Sequence, residues 1–340
     1  MGITIKFEDT GATLETAEGE TLLDAFMNNG VSYAHSCRSG NCGTCKIELI
    51  SGDVFELDYS EHALSETERG RGTVLACRAQ VWGNTVVRGL SADEFVVHPS
   101  RILDCRVLST KNFTDEVLQL RLKVDNGGPF HFSAGQYATL TFPFDSLDSR
   151  DYSMANSPND EVLEFQVRLI PEGKFSGRLA KELQAGSRIK VTGPFGSAYW
   201  REMHGGPMIC IAGGTGIAPI LSILRTSLPV ISYPVYLYFG MRNERDIYLQ
   251  NELKKMVSMF PNLRVQFVVS DECTPELGSQ VDLRYGLVTE AVIQDFDHLT
   301  DFKVYTAGPP EMVQIVLEIA DRLGVHNRDV HADPFYAAEK

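Results

Sequence analysis

Four cysteines carry the sharpest chemistry in this sequence. Cys37, Cys42 and Cys45 make a C-x4-C-x2-C run, and Cys77 stands alone downstream. Three thiolates crowded on one loop with a distant fourth is the spacing that holds a 2Fe-2S cluster. Gly40 and Gly43 fall where the loop has to wrap an inorganic core, and where bulk or a fixed negative φ would obstruct it. Zinc competes for four cysteines, but structural zinc sites come as two short C-x2-4-C knuckles. A Rieske centre would replace two of the cysteines with histidines. No Cys-x-His pair occurs, and His35 reads as a loop or surface histidine. Cys105, Cys210 and Cys273 lie in apolar surroundings and read as buried structural thiols. The chain is therefore expected to carry electrons.

Three further stretches suit flat rings and phosphates. Arg150-Asp151-Tyr152-Ser153 sets a guanidinium, a phenol and a hydroxyl along one edge, with Arg150 and Tyr152 facing alike at period two. Arginine suits a pyrophosphate, tyrosine stacks on a ring system, and Ser153 can hydrogen-bond a ring nitrogen. Gly173-Lys174-Phe175-Ser176 opens a helix to Leu183, whose first N–H groups and the Ser176 hydroxyl suit a phosphate. An ordinary N-cap by Ser176 explains the same residues. Gly213-Gly214-Thr215-Gly216-Ile217-Ala218-Pro219 joins an apolar strand, Pro207 to Ala212, to a helix ending at Leu228, which is the setting of a nucleotide phosphate site. Pro219 replaces the third glycine of the usual G-x-G-x-x-G.

Composition narrows the function class. At 340 residues the chain fits two or three domains, and 43% hydrophobic with 22% charged residues is ordinary for a globular protein. A net charge of -14 and a pI near 5.0 argue against nucleic-acid binding, which relies on clustered Lys and Arg. No apolar run reaches the roughly 20 residues of a membrane span. The N-terminus has no signal-peptide pattern, and seven cysteines argue for reduced thiols or metal ligands over a disulfide framework. The expected location is the cytoplasm. Residues 1–92 hold 13 Asp and Glu against 7 Lys and Arg, many of the acids between Glu48 and Glu68. That stretch reads either as a solvated face or as a device for steering a partner.

The elements that position these groups fall into three segments. In residues 1–92, a hairpin (Ile3 to Phe7, Ala12 to Thr16) precedes a helix capped by Thr21. The cysteine loop follows, then a strand from Lys46 to Ile50, a short helix from Ser65 to Arg69 and a strand from Thr85 to Leu90. After a polar linker, Ser91 to Ser100, residues 101–200 carry short strands: 101–109, 117–124, 137–142, 151–155 and 162–169. Short strands at this spacing predict a small antiparallel barrel. Residues 205–340 alternate strand and helix, which predicts a doubly wound parallel sheet.

Taken together, these residues resemble the ferredoxin-NADP reductase superfamily, and within it the three-domain reductases of Rieske aromatic-ring-hydroxylating oxygenases, of naphthalene- and benzoate-dioxygenase type. The likeness rests on the cysteine pattern, Arg150-Asp-Tyr-Ser153 as R-x-Y-S, the Gly213 to Pro219 turn and Ala307-Gly308-Pro309-Pro310-Glu311-Met312. It implies a multidomain α/β and β fold: a plant-type ferredoxin β-grasp, an antiparallel FAD-binding β-barrel and a doubly wound parallel α/β domain for NAD. It implies that Cys37, Cys42, Cys45 and Cys77 ligate the cluster. Arg150 and Ser176, with Gly173 and Lys174 beside them, would hold the FAD pyrophosphate, Tyr152 would pack on the flavin, and Ser153 would lie near its reactive nitrogen. Gly214, Thr215, Gly216, Gly308 and Pro309 would meet NAD. Phe335, with Tyr336 beside it, would cover the nicotinamide side of the flavin; a place in the core of the last strand is the alternative. Ser153 and Phe335 are thus the candidate catalytic residues.

Two positions depart from or vary within that pattern. Ala307 stands where a cysteine is usual. Ser270-Asp271 stands where NADP-using relatives carry Ser-Arg, and a carboxylate about 4 Å from a 2'-phosphate would cost on the order of 1 kcal/mol in water and about 4 at an effective dielectric of 20. NADH preference is the expectation, with Arg242 as the residue that could soften it. The expected function is transfer of electrons from NADH through FAD and a 2Fe-2S cluster to a Rieske-type oxygenase or its ferredoxin. A diiron monooxygenase or a deoxysugar-synthesising enzyme is the alternative acceptor. A non-enzymatic, zinc-holding module is the reading from another class.

Overall fold

The computed structural model describes residues 2–336 apart from 30, 32, 34, 36, 37, 39, 41, 42, 44, 62, 90–97, 144, 171, 172 and 272–282. Cys37, Cys42 and Cys273 lie outside the described residues, as does the predicted linker except His98 to Ser100.

In the first segment, β1 (Ile3–Phe7) and β2 (Thr13–Thr16) form the expected hairpin, and α1 (Leu22–Asn28) follows. Thr21 caps α1, its hydroxyl accepting from the Asp24 N–H at 3.1 Å, and Leu22, Leu23, Ala25 and Phe26 bury one face. Then come β3 (Lys46–Ser51), β4 (Val54–Glu56), α2 (Glu66–Gly70), β5 (Thr73–Leu75), β6 (Ala79–Val81) and β7 (Thr85–Arg88). The sheet order is β2-β1-β7-β3-β5, with β1 and β7 parallel and β4 paired to β6 outside it. This is the β-grasp. Several carboxylates of the acidic stretch are neutralised within it: Glu48 on Arg88 at 3.1 Å, Glu56 on Arg69 at 3.2 Å and Glu68 on Lys46 at 2.6 Å.

The middle segment holds β8 (Arg101–Asn112), β9 (Val117–Val124), β10 (Tyr137–Phe142), β11 (Asp145–Ser153), β12 (Val162–Arg168), α3 (Lys174–Glu182) and β13 (Arg188–Phe195). Their antiparallel order is β11-β10-β13-β8-β9-β12, and a bridge between Met154 and Phe165 brings the two edges together as a barrel. The strand expected at 151–155 begins earlier and stops at Ser153, because Asp145 to Ser149 pairs with β10 despite its polar composition. β13 is an element the sequence pattern did not predict.

The last segment alternates β14 (Met208–Gly213), α4 (Ile217–Ser227), β15 (Val235–Met241), α5 (Gln250–Met259), β16 (Leu263–Val269), β17 (Leu283–Tyr285), α6 (Val288–Asp295), β18 (Lys303–Gly308), α7 (Pro310–Arg322) and β19 (Val330–Pro334). The sheet is parallel in the order β17-β16-β15-β14-β18-β19. Period two is visible in β14: Met208, Cys210 and Ala212 enter one core, Ile209 and Ile211 the other. α5 starts at Gln250 and not at Asp246, because Glu244–Asp246 form a 3-10 turn and Leu249 adopts a left-handed φ of 62°. The barrel is fastened to this sheet through Arg225, which pairs with Glu164 at 3.2 Å and Glu252 at 2.5 Å and donates to the Ala155 carbonyl at 2.7 Å.

Candidate functional site

Strand order reverses between β14 and β18, so a crevice opens at their carboxyl ends, where open α/β sheets take their ligands. Two glycine segments meet there. Gly214 has a φ of 55°, and a Cβ on Gly216 would lie 2.0 Å from the Ala307 carbonyl oxygen. A Cβ on Gly308, whose φ is 141°, would lie 2.8 Å from the Gly213 carbonyl oxygen. These backbones touch only because both sides lack side chains. Gly214, Thr215 and Gly216 form a 3-10 turn leading straight into α4, and Pro309 caps α7 on the opposite wall. Tyr248 supports the turn from below, donating within reach of Gln166 Oε1 at 2.8 Å and the Gly214 carbonyl at 3.3 Å.

β11 brings Ser153 to the same crevice. The Ser153 hydroxyl donates to Asp333 Oδ2 at 3.0 Å, and the Phe335 N–H donates to the Gly308 carbonyl at 2.8 Å. Barrel, nucleotide sheet and C-terminus therefore converge on Ser153, Gly308, Asp333 and Phe335. Phe335 lies just past β19 and is half-buried, so it is not a core residue of that strand; Tyr336 is 38% exposed. Burial pushes the Asp333 carboxyl up to about 7; the Ser153 hydrogen bond opposes the shift and the Asp151 charge adds to it. Asp333 is the site residue that motif reading missed. Its only sequence signal is a carboxylate two residues before Phe335.

Along β11, Arg150 is half-buried beside Leu140 of β10, and its Nη1 donates to the Ser149 carbonyl at 2.6 Å. Tyr152 packs on the barrel core with its ring 5.9 Å from that of Phe175 on α3. Gly173, and not Ser176, is the N-cap of α3. A Cβ on Gly173 would meet Ser176 Oγ at 2.7 Å and the Ile170 carbonyl oxygen at 3.0 Å. Ser176, the third helical residue, is buried, its oxygen accepting from the Ile170 N–H at 3.1 Å, while Lys174 is exposed at the helix start. The start of α3 thus keeps the form of an anion site. At the end of β16, Asp271 is exposed and its N–H donates to the Arg242 carbonyl at 2.9 Å.

Of the four expected cluster ligands, Cys45 and Cys77 are described. Both are buried, and the Cys77 N–H donates to Cys45 Sγ at 3.4 Å, an amide-to-sulfur bond that suits a thiolate ligand. The loop is cramped in the way a cluster cradle requires: Gly40 has φ 79° and Gly43 φ 68°, and a Cβ on Gly43 would sit 2.7 Å from the Ala63 carbonyl oxygen. His35 Nδ1 lies 2.7 Å from the Tyr33 carbonyl, a loop contact. Cys105 and Cys210 are fully buried, and burial raises both thiols to about 12, which keeps them inert. A narrow gap separates Gly43, Lys46 and Ala63 from Pro310, Leu317 and Pro334, so the cluster loop faces the C-terminal side of the crevice.

Comparison with known proteins identifies the three modules. Residues 5–81 match the 2Fe-2S iron-sulfur cluster binding domain, 104–200 the oxidoreductase FAD-binding domain and 210–318 the oxidoreductase NAD-binding domain. The chain is 39% identical over 325 residues to the ferredoxin–NAD(P)+ reductase component of the naphthalene 1,2-dioxygenase/salicylate 5-hydroxylase systems of Ralstonia sp., covering 95% of each. It is 36% identical over 319 residues to the reductase component of the naphthalene 1,2-dioxygenase system of Pseudomonas putida, covering 94% of each. Among solved structures it is similar to the Amycolatopsis cytochrome P450 reductase GcoB, with a TM-score of 0.73, 35% identity, and coverage of 99% of this chain and 100% of that one.

Proposed function

Since the chain belongs to the family of ferredoxin–NAD(P)+ reductases that serve oxygenase systems, we propose that it draws on NADH and delivers single electrons to a Rieske-type oxygenase or its ferredoxin. It is an oxidoreductase of three cofactors, NAD, FAD and a 2Fe-2S cluster. When bound, FAD accepts a hydride and passes electrons on singly, which is the unit a 2Fe-2S centre takes up. The observation that carries the reading is the convergence of Ser153, Gly308, Asp333 and Phe335 in one crevice, with the cluster loop across a narrow gap from Pro334.

Within this reading residues 1–92, 101–200 and 205–340 are the cluster, flavin and nucleotide domains. Arg150 and the start of α3, through Gly173, Lys174 and Ser176, hold the flavin pyrophosphate, and Tyr152 lies along the ring system. Ser153 orients the ring edge and Asp333 holds a proton beside it. Gly214, Thr215, Gly216, Gly308 and Pro309 admit the nucleotide, Phe335 covers the hydride-transfer face, and Asp271 accepts from ribose hydroxyls. Cys37 and Cys42 complete the ligand set of Cys45 and Cys77. With Ala307 no thiol stands at that position of the crevice, so the nicotinamide is held by backbone and Phe335. A cytoplasmic location fits the reduced thiols. Among the described residues no helix is long and apolar enough to cross a membrane.

The likeness to a cytochrome P450 reductase makes a P450 a second candidate acceptor. Reconstitution decides: NADH-driven turnover should appear with a Rieske component and not with a P450 or a diiron hydroxylase. Turnover with only one of the latter two would overturn the choice of partner.

A further inference from the structure

The cluster module reaches the nucleotide domain through α2, which packs against α7. Arg71, at the end of α2, is ion-paired with Asp321 in the last turn of α7, and its Nη1 donates to the Val325 carbonyl at 3.1 Å just beyond that helix. A guanidinium suits this place, because the carboxyl end of a helix carries partial negative charge and arginine's fork serves two acceptors at once.

The other side of Arg71 leads to the cluster. Ser65 and Glu68 form a capping box that fixes α2. Glu68, only 6% exposed, also binds Lys46 at 2.6 Å, and Lys46 follows the ligand Cys45. The Ala63 carbonyl, two residues before the cap, closes on Gly43 of the cluster loop. α2 and the Gly43 to Lys46 end of the loop are therefore joined as one piece. Across the gap that piece faces α7 from Pro310 to Leu317 and then Pro334, which lies between Asp333 and Phe335.

We propose that Arg71 is the positioning residue for electron passage to the cluster: its grip on the end of α7 seats the module so that Gly43, between the cluster cysteines, faces Pro334 across the narrow gap. This rests on the placement of FAD beside Ser153 and of the cluster on Cys45 and Cys77. Arg71 touches neither cofactor and acts only through the seating. The Arg71 and Asp321 side chains are 30% and 40% exposed, so salt screens their attraction.

The test uses holoprotein with its FAD and cluster content verified, mixed anaerobically with NADH while flavin and cluster absorbance are followed separately. In Arg71→Ala and in Asp321→Asn, flavin reduction should stay within about twofold of wild type. Cluster reduction should slow about three- to tenfold, the scale of losing a charged hydrogen bond that favours the seated form. Swapping the charges in Arg71→Asp with Asp321→Arg should restore part of the rate. The cluster midpoint potential should not move, which separates seating from a change at the ligands. Cluster reduction at wild-type speed in both single variants, or a slowing accounted for by a shifted midpoint potential, would overturn the proposal. A wild-type protein whose cluster NADH never reduces would instead strike the functional reading beneath it.

Discussion

Replacing Asp333 with asparagine should stabilise the nucleotide half of the protein, and by more at high pH. Asparagine keeps the shape and an acceptor for the Ser153 hydroxyl while removing the ionisable group. Burial raises the Asp333 carboxyl from 3.8 to about 7. Between these values the folded protein holds a proton that the unfolded chain has released, so this residue's contribution to stability falls as pH rises from about 4 to 7 and stays lost above. Roughly three units at about 1.4 kcal/mol each set a ceiling near 4 kcal/mol. The carboxyl keeps some solvent contact at the crevice, and about half that ceiling is a fair discount. Asp333→Asn should then gain about 1–2 kcal/mol more at pH 8 than at pH 5. Urea unfolding in a Trp82→Phe background reads this cleanly, because the chain has two tryptophans and the other, Trp200, packs on the nucleotide-domain core. An equal effect at both pH values, or a loss of stability at pH 8, would refute the argument that the folded site disfavours the charged carboxylate.

Other perturbations probe the remaining parts. Asp271→Ala should raise kcat/KM for NADPH by about tenfold, the scale of removing one like charge near a 2'-phosphate, and should lower kcat/KM for NADH by about tenfold through the lost ribose hydrogen bonds; equal values for both nucleotides in the wild type would end the case for NADH preference. Gly216→Ala drives a methyl into the Ala307 carbonyl and should cost about 3 kcal/mol or more of stability or raise KM for NADH steeply, measured by thermal unfolding and steady-state kinetics. A tolerated alanine would mean that β14 and β18 part more easily than their contact implies. Cys77→Ala should leave reduction of FAD by NADH largely intact while abolishing transfer to the acceptor, and a folded variant that fails to reduce FAD would place the cluster upstream of the flavin.

What sequence could reveal follows from the range of the interactions involved. Val117–Val124 and Tyr137–Phe142 were readable because alternation is a local property, and the Thr21 cap because it acts within three residues. Arg188–Phe195 contains Gly193 and Pro194, residue types that local preference keeps out of strand interiors, yet β13 pairs on both sides. Ser176 looked like a cap because its hydroxyl does bind a nearby N–H, but that N–H belongs to Ile170, before the helix. The glycine turn was legible as a motif, whereas its reason for being glycine, the Ala307 carbonyl, comes from a strand about ninety residues away. Asp333 against Ser153 and Arg71 against Asp321 join residues 180 and 250 positions apart, and no local pattern encodes such pairs.

In the proposed route, electrons enter at the nicotinamide crevice and leave at the cysteine loop. Anaerobic rapid mixing with NADH, with the flavin and cluster bands followed separately in time, tests this route. Flavin absorbance should bleach first with cluster absorbance following, and an oxidised Rieske acceptor mixed in next should reoxidise the cluster before the flavin. A colourless protein, a cluster that stays oxidised beside a fully reduced flavin, or an acceptor that drains the flavin while the cluster remains reduced would contradict it.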